Sequence, residues 1–300
     1  MTSQPARAFW VTAPGHGAIR DEPLPAASAG EALVQTRYSG ISRGTESLVF
    51  AGNVPASEHA RMRAPFQAGD FPAPVKYGYA NVGVVEAGPA DVVGRLVFSL
   101  FPHQTRFVVP SSALYRLPDA VPAHRGVLAA NMETAVNGVW DAAIQPGDRV
   151  AVIGAGSVGC LVAWLAGRIP GTEVCLIDVN GARAGVARAL GVEFAHPEDA
   201  PQERDVVMHV SGAAAGLGLA LSLAAFEATV VEMSWFGAQQ VTLPLGEAFH
   251  AKRLSICSSQ VGHVGASHRA RWDYRRRMEF AISLLSEPAL DVLFTGESAF

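Results

Sequence analysis

One stretch constrains the fold more than any other. Arg149-Val-Ala-Val-Ile153 is an apolar, β-branched run of buried-strand type, and Gly154-Ala-Gly-Ser-Val-Gly159 follows it directly. Ser157–Ile169 then shows apolar residues at helical spacing. A strand that turns at once into a helix gives each glycine of G-x-G-x-x-G a use. The first permits the tight turn, the second lets the backbone approach a pyrophosphate, and the third lets helix and strand pack closely. The helix start adds free N–H groups and a positive dipole end. Gly154, Ala155, Gly156, Ser157, Val158 and Gly159 are therefore candidate cofactor-binding residues. The plainer alternative is a glycine turn with no ligand.

Asp178 strengthens the dinucleotide reading. It closes a second strand, Glu173–Asp178, 19 residues after Gly159. A carboxylate there accepts hydrogen bonds from the adenosine ribose hydroxyls and repels a 2′-phosphate, which predicts NAD over NADP. Arg183 either stacks on adenine, reaches the ribose, or is a solvated helix-face charge. The strand Asp205–Val210 ends beside Ser211 and Gly212, where the nicotinamide side of such a site would lie; a simple turn is the alternative.

Strands alternate with helices from Arg149 to Ser258, which predicts a parallel, doubly wound sheet. Before Pro122 the texture differs. Glu31–Tyr38, Val82–Ala87 and Arg95–Leu100 alternate between turns, and 30 glycines and 19 prolines punctuate the chain. That predicts a small β-barrel in front of an α/β unit. Ala123–Ala142 and Arg271–Leu285 read as helices, and Arg269, Arg271, Arg275, Arg276 and Arg277 as a solvated basic face. Apolar residues make up 49% and charged ones 17%, enough for a large core. A net charge of −4 provides no field for nucleic acid. The cysteines, Cys160, Cys175 and Cys257, have neither disulfide-scaffold nor zinc-ribbon spacing. The first residues lack a signal-peptide apolar run, and Leu217–Phe226 is too short to span a bilayer, so a cytoplasmic protein without membrane contact is expected.

Tyr38-Ser-Gly-Ile-Ser-Arg-Gly-Thr-Glu46, Gly78-Tyr-Ala-Asn-Val-Gly-Val-Val-Glu86, Pro146-Gly-Asp-Arg-Val150 and the GAGSVG turn follow one another in order. In these motifs the chain resembles the medium-chain dehydrogenase/reductase superfamily. The resemblance implies a GroES-like β-barrel catalytic domain at 1–125, completed by 266–300, and a Rossmann NAD(P)-binding domain at 126–265. It departs from the family's zinc enzymes, because Ser42, Tyr79 and the Ala129/Ala130 region stand where cysteine, histidine and a third ligand are expected. A zinc-independent member is therefore expected, with no metal. Gly40–Glu46 is similar to a zinc-less branch that includes bacteriochlorophyllide hydroxyethyl dehydrogenases. The end, Leu290–Phe300, resembles the start of a return to the barrel, so this branch is shorter or the chain is incomplete.

The resemblance implies hydride transfer between nicotinamide and an alcohol, ketone or enone, with a small-molecule substrate. Without zinc, a hydrogen-bond donor must polarise the substrate oxygen. The candidate catalytic residues are Ser42 and Thr45 as relay hydroxyls, Tyr79 as a phenolic donor if its pKa is lowered, and Glu133. Each has a plainer alternative: turn hydrogen bonds for Ser42 and Thr45, a packed aromatic for Tyr79, a helix cap or surface charge for Glu133. Arg43 and Glu46 either orient a polar substrate or pair with each other or the barrel; His103 reads as structural. Two further functions stand beside the first: an NAD(P)-binding sensor without turnover, and an NADPH-dependent quinone or alkene reductase. A homodimer through the edge near Leu254–Gln260 is expected by analogy.

Overall fold

The structure, a computed structural model, describes residues 5–300; Met1–Gln4, the start of the segment expected to lack a signal peptide, lie outside the described residues. The chain forms two compact units. Among the described residues, the first comprises 5–130, 278–286 and 297–300, and the second 131–277 and 287–296.

In the first unit, β1 (Ala6–Ala13) and β2 (His16–Glu22) form a hairpin turned at Gly15, whose φ is +74°. After β3 (Glu31–Ser39) comes α1 (Arg43–Phe50), then β4 (Ala68–Gly69), β5 (Val75–Lys76), β6 (Asn81–Ala87), β7 (Leu96–Ser99), β8 (Arg106–Pro110) and β9 (Tyr115–Arg116). They build two antiparallel sheets, ordered β2-β1-β5-β4 and β8-β3-β6-β7-β9. Residues 103–105 tie the sheets together: Phe9 N–H donates to His103 O at 3.0 Å, and Thr36 N–H to Thr105 O at 3.0 Å. Inward residues of the alternating strands (Ala32, Val34, Val85, Val97, Val109) close on Phe101 and Phe107, whose rings stack at 4.1 Å. The segment 123–142 is two helices, α2 (Ala123–Gly126) and α3 (Ala129–Ala142), not one. Gly126 ends the first of them against Leu117 and Val82, where a Cβ would meet Leu117 Cδ2 at 2.5 Å.

The second unit has one parallel sheet. It is built from β10 (Arg149–Ile153), α4 (Ser157–Ala166), β11 (Glu173–Ile177), α5 (Ala184–Leu190), β12 (Glu193–Ala195), β13 (Arg204–His209), α6 (Ala214–Leu223), β14 (Ala224–Glu232) and β15 (Ser255–Ser258). The strand order is β12-β11-β10-β13-β14-β15. The connection direction reverses between β10 and β13, the point at which open α/β sheets bind ligands beyond their carboxyl ends. Val150, Val152, Val207, Met208, Val230 and Val231 are buried along the central strands, as expected of strands covered on both faces.

The last helix, α7 (Tyr274–Leu284), starts three residues later than the sequence pattern suggests. Residues 288–293 form 3₁₀ turns, and no strand occurs in 290–300, where the start of a barrel return was expected. No helix among the described residues is long and apolar enough to cross a membrane.

Candidate functional site

The fingerprint turn lies at the switch point. Gly154 has φ +108°, and its N–H donates to Ile177 O at 2.8 Å. A Cβ on Gly154 would sit 2.7 Å from Ser211 N and Cα, so this glycine lets the turn touch the end of β13. A Cβ on Gly159 would sit 1.8 Å from Gly154 O, so α4 can leave the sheet only with glycine there. A Cβ on Gly156 would meet nothing within 4 Å. The middle glycine thus faces open space, as a backbone approached by a ligand should. Gly156 is the N-cap of α4 and no side chain caps the helix, which leaves Ser157 and Val158 to present first-turn amides to an anion.

Asp178 and Arg183 clamp the same turn. Asp178 Oδ2 accepts the Ala155 N–H at 2.6 Å and Oδ1 accepts the Asn180 N–H at 2.8 Å. Each oxygen keeps a lone pair for a further donor such as a ribose hydroxyl. Arg183 Nε donates to Ala155 O at 2.7 Å, and Nη2 lies 3.8 Å from Cys160 Sγ. Arg183 is therefore neither a solvated charge nor free to stack with its whole guanidinium; it fixes the Ala155 peptide. Burial pushes the Cys160 thiol up to about 11, with Arg183 opposing, so it is no thiolate at neutral pH.

Ser211 and Gly212 follow β13 and are exposed. Ser211 Oγ is 2.6 Å from Nε2 of the fully buried His209, and His209 Nδ1 is 2.6 Å from Glu232 Oε2. His209 and Glu232 were missed as partners. Their signal was an ionisable residue near the carboxyl end of each of two buried strands, brought side by side by the parallel register.

The first unit holds a separate polar cluster. Ser42 stands at the N-cap position of α1 without a side-chain capping bond, and its own N–H donates to Glu46 Oε1 at 2.7 Å. Glu46 Oε2 is 2.6 Å from His103 Nε2, and His103 Nδ1 is hydrogen-bonded to Ser39 Oγ. Glu46 therefore pairs with His103, not with Arg43. Ser42 and Thr45 lie near enough to Tyr79 to favour its deprotonated form, so the structure brings Ser42, Thr45 and Tyr79 into one neighbourhood. Burial and the Glu46 charge push this phenol up to about 12 despite those two hydroxyls. The condition set for Tyr79 as a phenolic proton donor, a lowered pKa, is not met: the phenol is raised and keeps its proton. Tyr77 packs edge-on against it at 5.9 Å and is raised further, chiefly by burial.

Glu133 lies in the second unit and is not part of that cluster. Its Oε1 accepts Arg277 Nε at 3.0 Å, and Arg277 also donates to Asn137 Oδ1 at 2.6 Å, His263 O at 3.1 Å and Val261 O at 2.6 Å. Arg277 is 1% exposed, which removes it from the expected solvated basic face. Arg276 remains outside, stacked on Trp272 at 3.9 Å.

Zinc does not fit the residues of the first unit. Ser42 and Tyr79 offer a hydroxyl and a phenol, both poor partners for zinc, and His103 and Glu46 are each other's partner. Among the described residues, no three His, Cys, Asp or Glu side chains come together as a metal group.

No family model matches the chain. D-guloside 3-dehydrogenase of Escherichia coli is 25% identical over 305 residues, covering 92% of this chain and 87% of that protein. D-xylulose reductase A of Aspergillus niger is 25% identical over 238 residues, 72% of this chain; the match spans 63% of that reductase. The fold is that of acetophenone reductase from Geotrichum candidum, solved in complex with NAD, at a TM-score of 0.73 and 17% identity over 96% of this chain and 90% of that one. Two-unit architecture, strand order and relatives define a dehydrogenase-type fold. In sequence and in fold the chain is similar to alcohol and sugar dehydrogenases, in line with the resemblance to the medium-chain dehydrogenase/reductase superfamily that its motifs carry.

Proposed function

We propose that this chain is an NAD(P)-dependent oxidoreductase that transfers hydride between nicotinamide and an alcohol or ketone, without zinc and with a preference for NAD. One observation carries the reading: a G-x-G-x-x-G turn at the switch point whose middle glycine faces open space. The residues fit the cofactor. Gly156, Ser157 and Val158 would hold the pyrophosphate, Asp178 the adenosine ribose, and Ser211 and Gly212 the nicotinamide half. The cofactor supplies the hydride when bound. Tyr79, kept protonated, would donate a hydrogen bond to the substrate oxygen, with Ser42 and Thr45 orienting the phenol. Glu133 is engaged by Arg277, and we assign it to holding that residue. The sugar names of the relatives support an alcohol or ketone over an enone. A second copy joined along the outer strand β15, where Ile256 is 37% exposed, would extend the sheet and form a homodimer. Three free cysteines accord with a cytoplasmic setting.

Purified protein should enhance and blue-shift NADH fluorescence, and should move deuterium from 4-deuterated NADH to a ketone in a substrate panel. No binding of NADH or NADPH at millimolar concentration defeats the proposal. Binding without isotope transfer to any carbonyl favours the second reading, a cofactor-binding protein without turnover, which the absence of a metal group among the described residues supports.

A further inference from the structure

Ser211, His209 and Glu232 connect an exposed hydroxyl to a buried imidazole and then to a carboxylate. The order of the hydrogen bonds is set by the groups at the far end. Glu232 Oε1 accepts the Ser234 N–H at 2.6 Å, and Oε2 faces His209 Nδ1 at 2.6 Å. A carboxylate can only accept, so the neutral imidazole carries its proton on Nδ1 and leaves Nε2 bare. Nε2 then accepts the Ser211 hydroxyl proton at 2.6 Å. Ser234 Oγ, 3.4 Å from Nδ1, takes the Gly212 N–H at 3.0 Å and is too far to compete. The Ser211 oxygen also accepts the Ala213 N–H at 3.2 Å. With its only proton pointed inward, Ser211 Oγ can offer the outside nothing but a lone pair.

The surroundings are built for this chain. Phe236 stacks over the imidazole at 6.1 Å. Gly216, in the first turn of α6, leaves space that a Cβ would fill, 2.5 Å from Ser211 Oγ and 2.7 Å from His209 Nε2. The Ser211 backbone lies against Gly154, at the carboxyl end of the sheet, and the residue is exposed.

We propose that Ser211, His209 and Glu232 form a directional hydrogen-bond chain that presents Ser211 Oγ as an acceptor for an O–H or N–H donor on the nicotinamide riboside half of a bound cofactor. The ligand rests on the cofactor reading above; the polarity rests on the three side chains alone. His209 and Glu232 are positioning residues, acting through Ser211.

Two measurements on the full chain test this. Long-range ¹H–¹⁵N spectra of histidine-labelled protein at pH 8 distinguish the two neutral tautomers and the imidazolium. Wild type should carry the His209 proton on Nδ1. In Glu232→Gln the oxygen must turn to the Ser234 N–H, so the NH2 donates to Nδ1 and the His209 proton should move to Nε2. A wild-type His209 protonated on Nε2, or on both nitrogens, overturns the proposal. Fluorescence and calorimetric titrations with NADH, ADP-ribose and ADP read the ligand side. Ser211→Ala, at an exposed position, should leave ADP affinity unchanged and weaken NADH about fivefold. An equal loss for ADP-ribose assigns the donor to a ribose hydroxyl, and a loss for NADH alone assigns it to the carboxamide. Unchanged NADH affinity in Ser211→Ala, with ADP still bound, overturns the proposal and leaves the cofactor reading intact. Failure of wild type to bind any of the three defeats the cofactor reading, and the ligand assigned to Ser211 falls with it.

Discussion

Arg277 Nε donates to Glu133 Oε1 at 3.0 Å, and the two side chains are only 2% and 8% exposed. Burial raises the Glu133 carboxyl above its ordinary value of 4.5, and Arg277 offsets part of that rise. A carboxyl raised on folding stabilises the fold fully below its unfolded pKa and loses that contribution as pH climbs through the folded one. Glu133→Gln should flatten this part of the stability–pH curve. Removing one partner of a buried pair leaves the other charge uncompensated, at a cost of about 3–5 kcal/mol. Arg277→Met, which leaves the Glu133 charge buried without a partner, should approach that loss at pH 7; Glu133→Gln, which mimics the neutral carboxyl that burial favours, should lose much less, and the double variant should lose less than the sum of the two. A double-mutant cycle by chemical denaturation checks both statements; additive losses would show that the pair is not coupled.

Gly156 and Gly159 should separate binding from folding. Alanine at 156 meets no protein atom within 4 Å, whereas alanine at 159 drives into Gly154 O. Gly156→Ala should keep the wild-type melting temperature and weaken NADH by about tenfold or more, because its methyl occupies the cofactor's approach. Gly159→Ala should lower the melting temperature as well. Thermal melts with and without NADH provide the comparison. A Gly156→Ala protein that binds NADH as wild type does would remove the pyrophosphate from this turn.

What was legible in the sequence was local. The run RVAVI and the glycine spacing fall within a dozen consecutive residues, so strand, turn and helix could be read without knowing the neighbours. The hairpin strand β2 could not, because six of its seven residues are exposed and the seventh only partly covered, leaving no inward–outward alternation. Helix α1 begins inside the motif Tyr38–Glu46, for which no helix was expected. The polar networks stayed invisible for another reason. His103 joins Glu46 across 57 positions, His209 joins Glu232 across 23, and Arg277 joins Glu133 across 144. Such partners are chosen by strand register and helix packing, and nothing local marks them. A helix pattern likewise cannot tell which arginine of a basic run turns inward.

Tyr79 should matter as a proton-bearing donor. With its phenol pushed up to about 12, it stays protonated through the usual assay range. Tyr79→Phe should lower kcat about a hundredfold, the lower range for a positioned acid–base group, with little change in KM. The rate profile of the wild type should show no alkaline limb from Tyr79 below pH 10. Steady-state kinetics from pH 6 to 10 measure both. Full activity in Tyr79→Phe would make the ring a packing residue only.

Asp178 carries two duties that one substitution can divide. Its oxygens hold the Ala155 and Asn180 amides, and its charge would meet a 2′-phosphate. Asp178→Asn keeps an acceptor for one amide and removes the charge; Asp178→Ala removes both. If charge repulsion sets cofactor choice, both variants should shift the NADPH-to-NADH affinity ratio toward NADPH by about tenfold. If the carboxylate also braces the turn, Asp178→Ala alone should lose a further few-fold for both cofactors, since an unpaired Ala155 N–H costs about 1 kcal/mol or more. Parallel fluorescence titrations with NADH and NADPH give the ratio and the common loss separately. An unchanged ratio in both variants would show that Asp178 serves the turn and leaves cofactor choice to other residues.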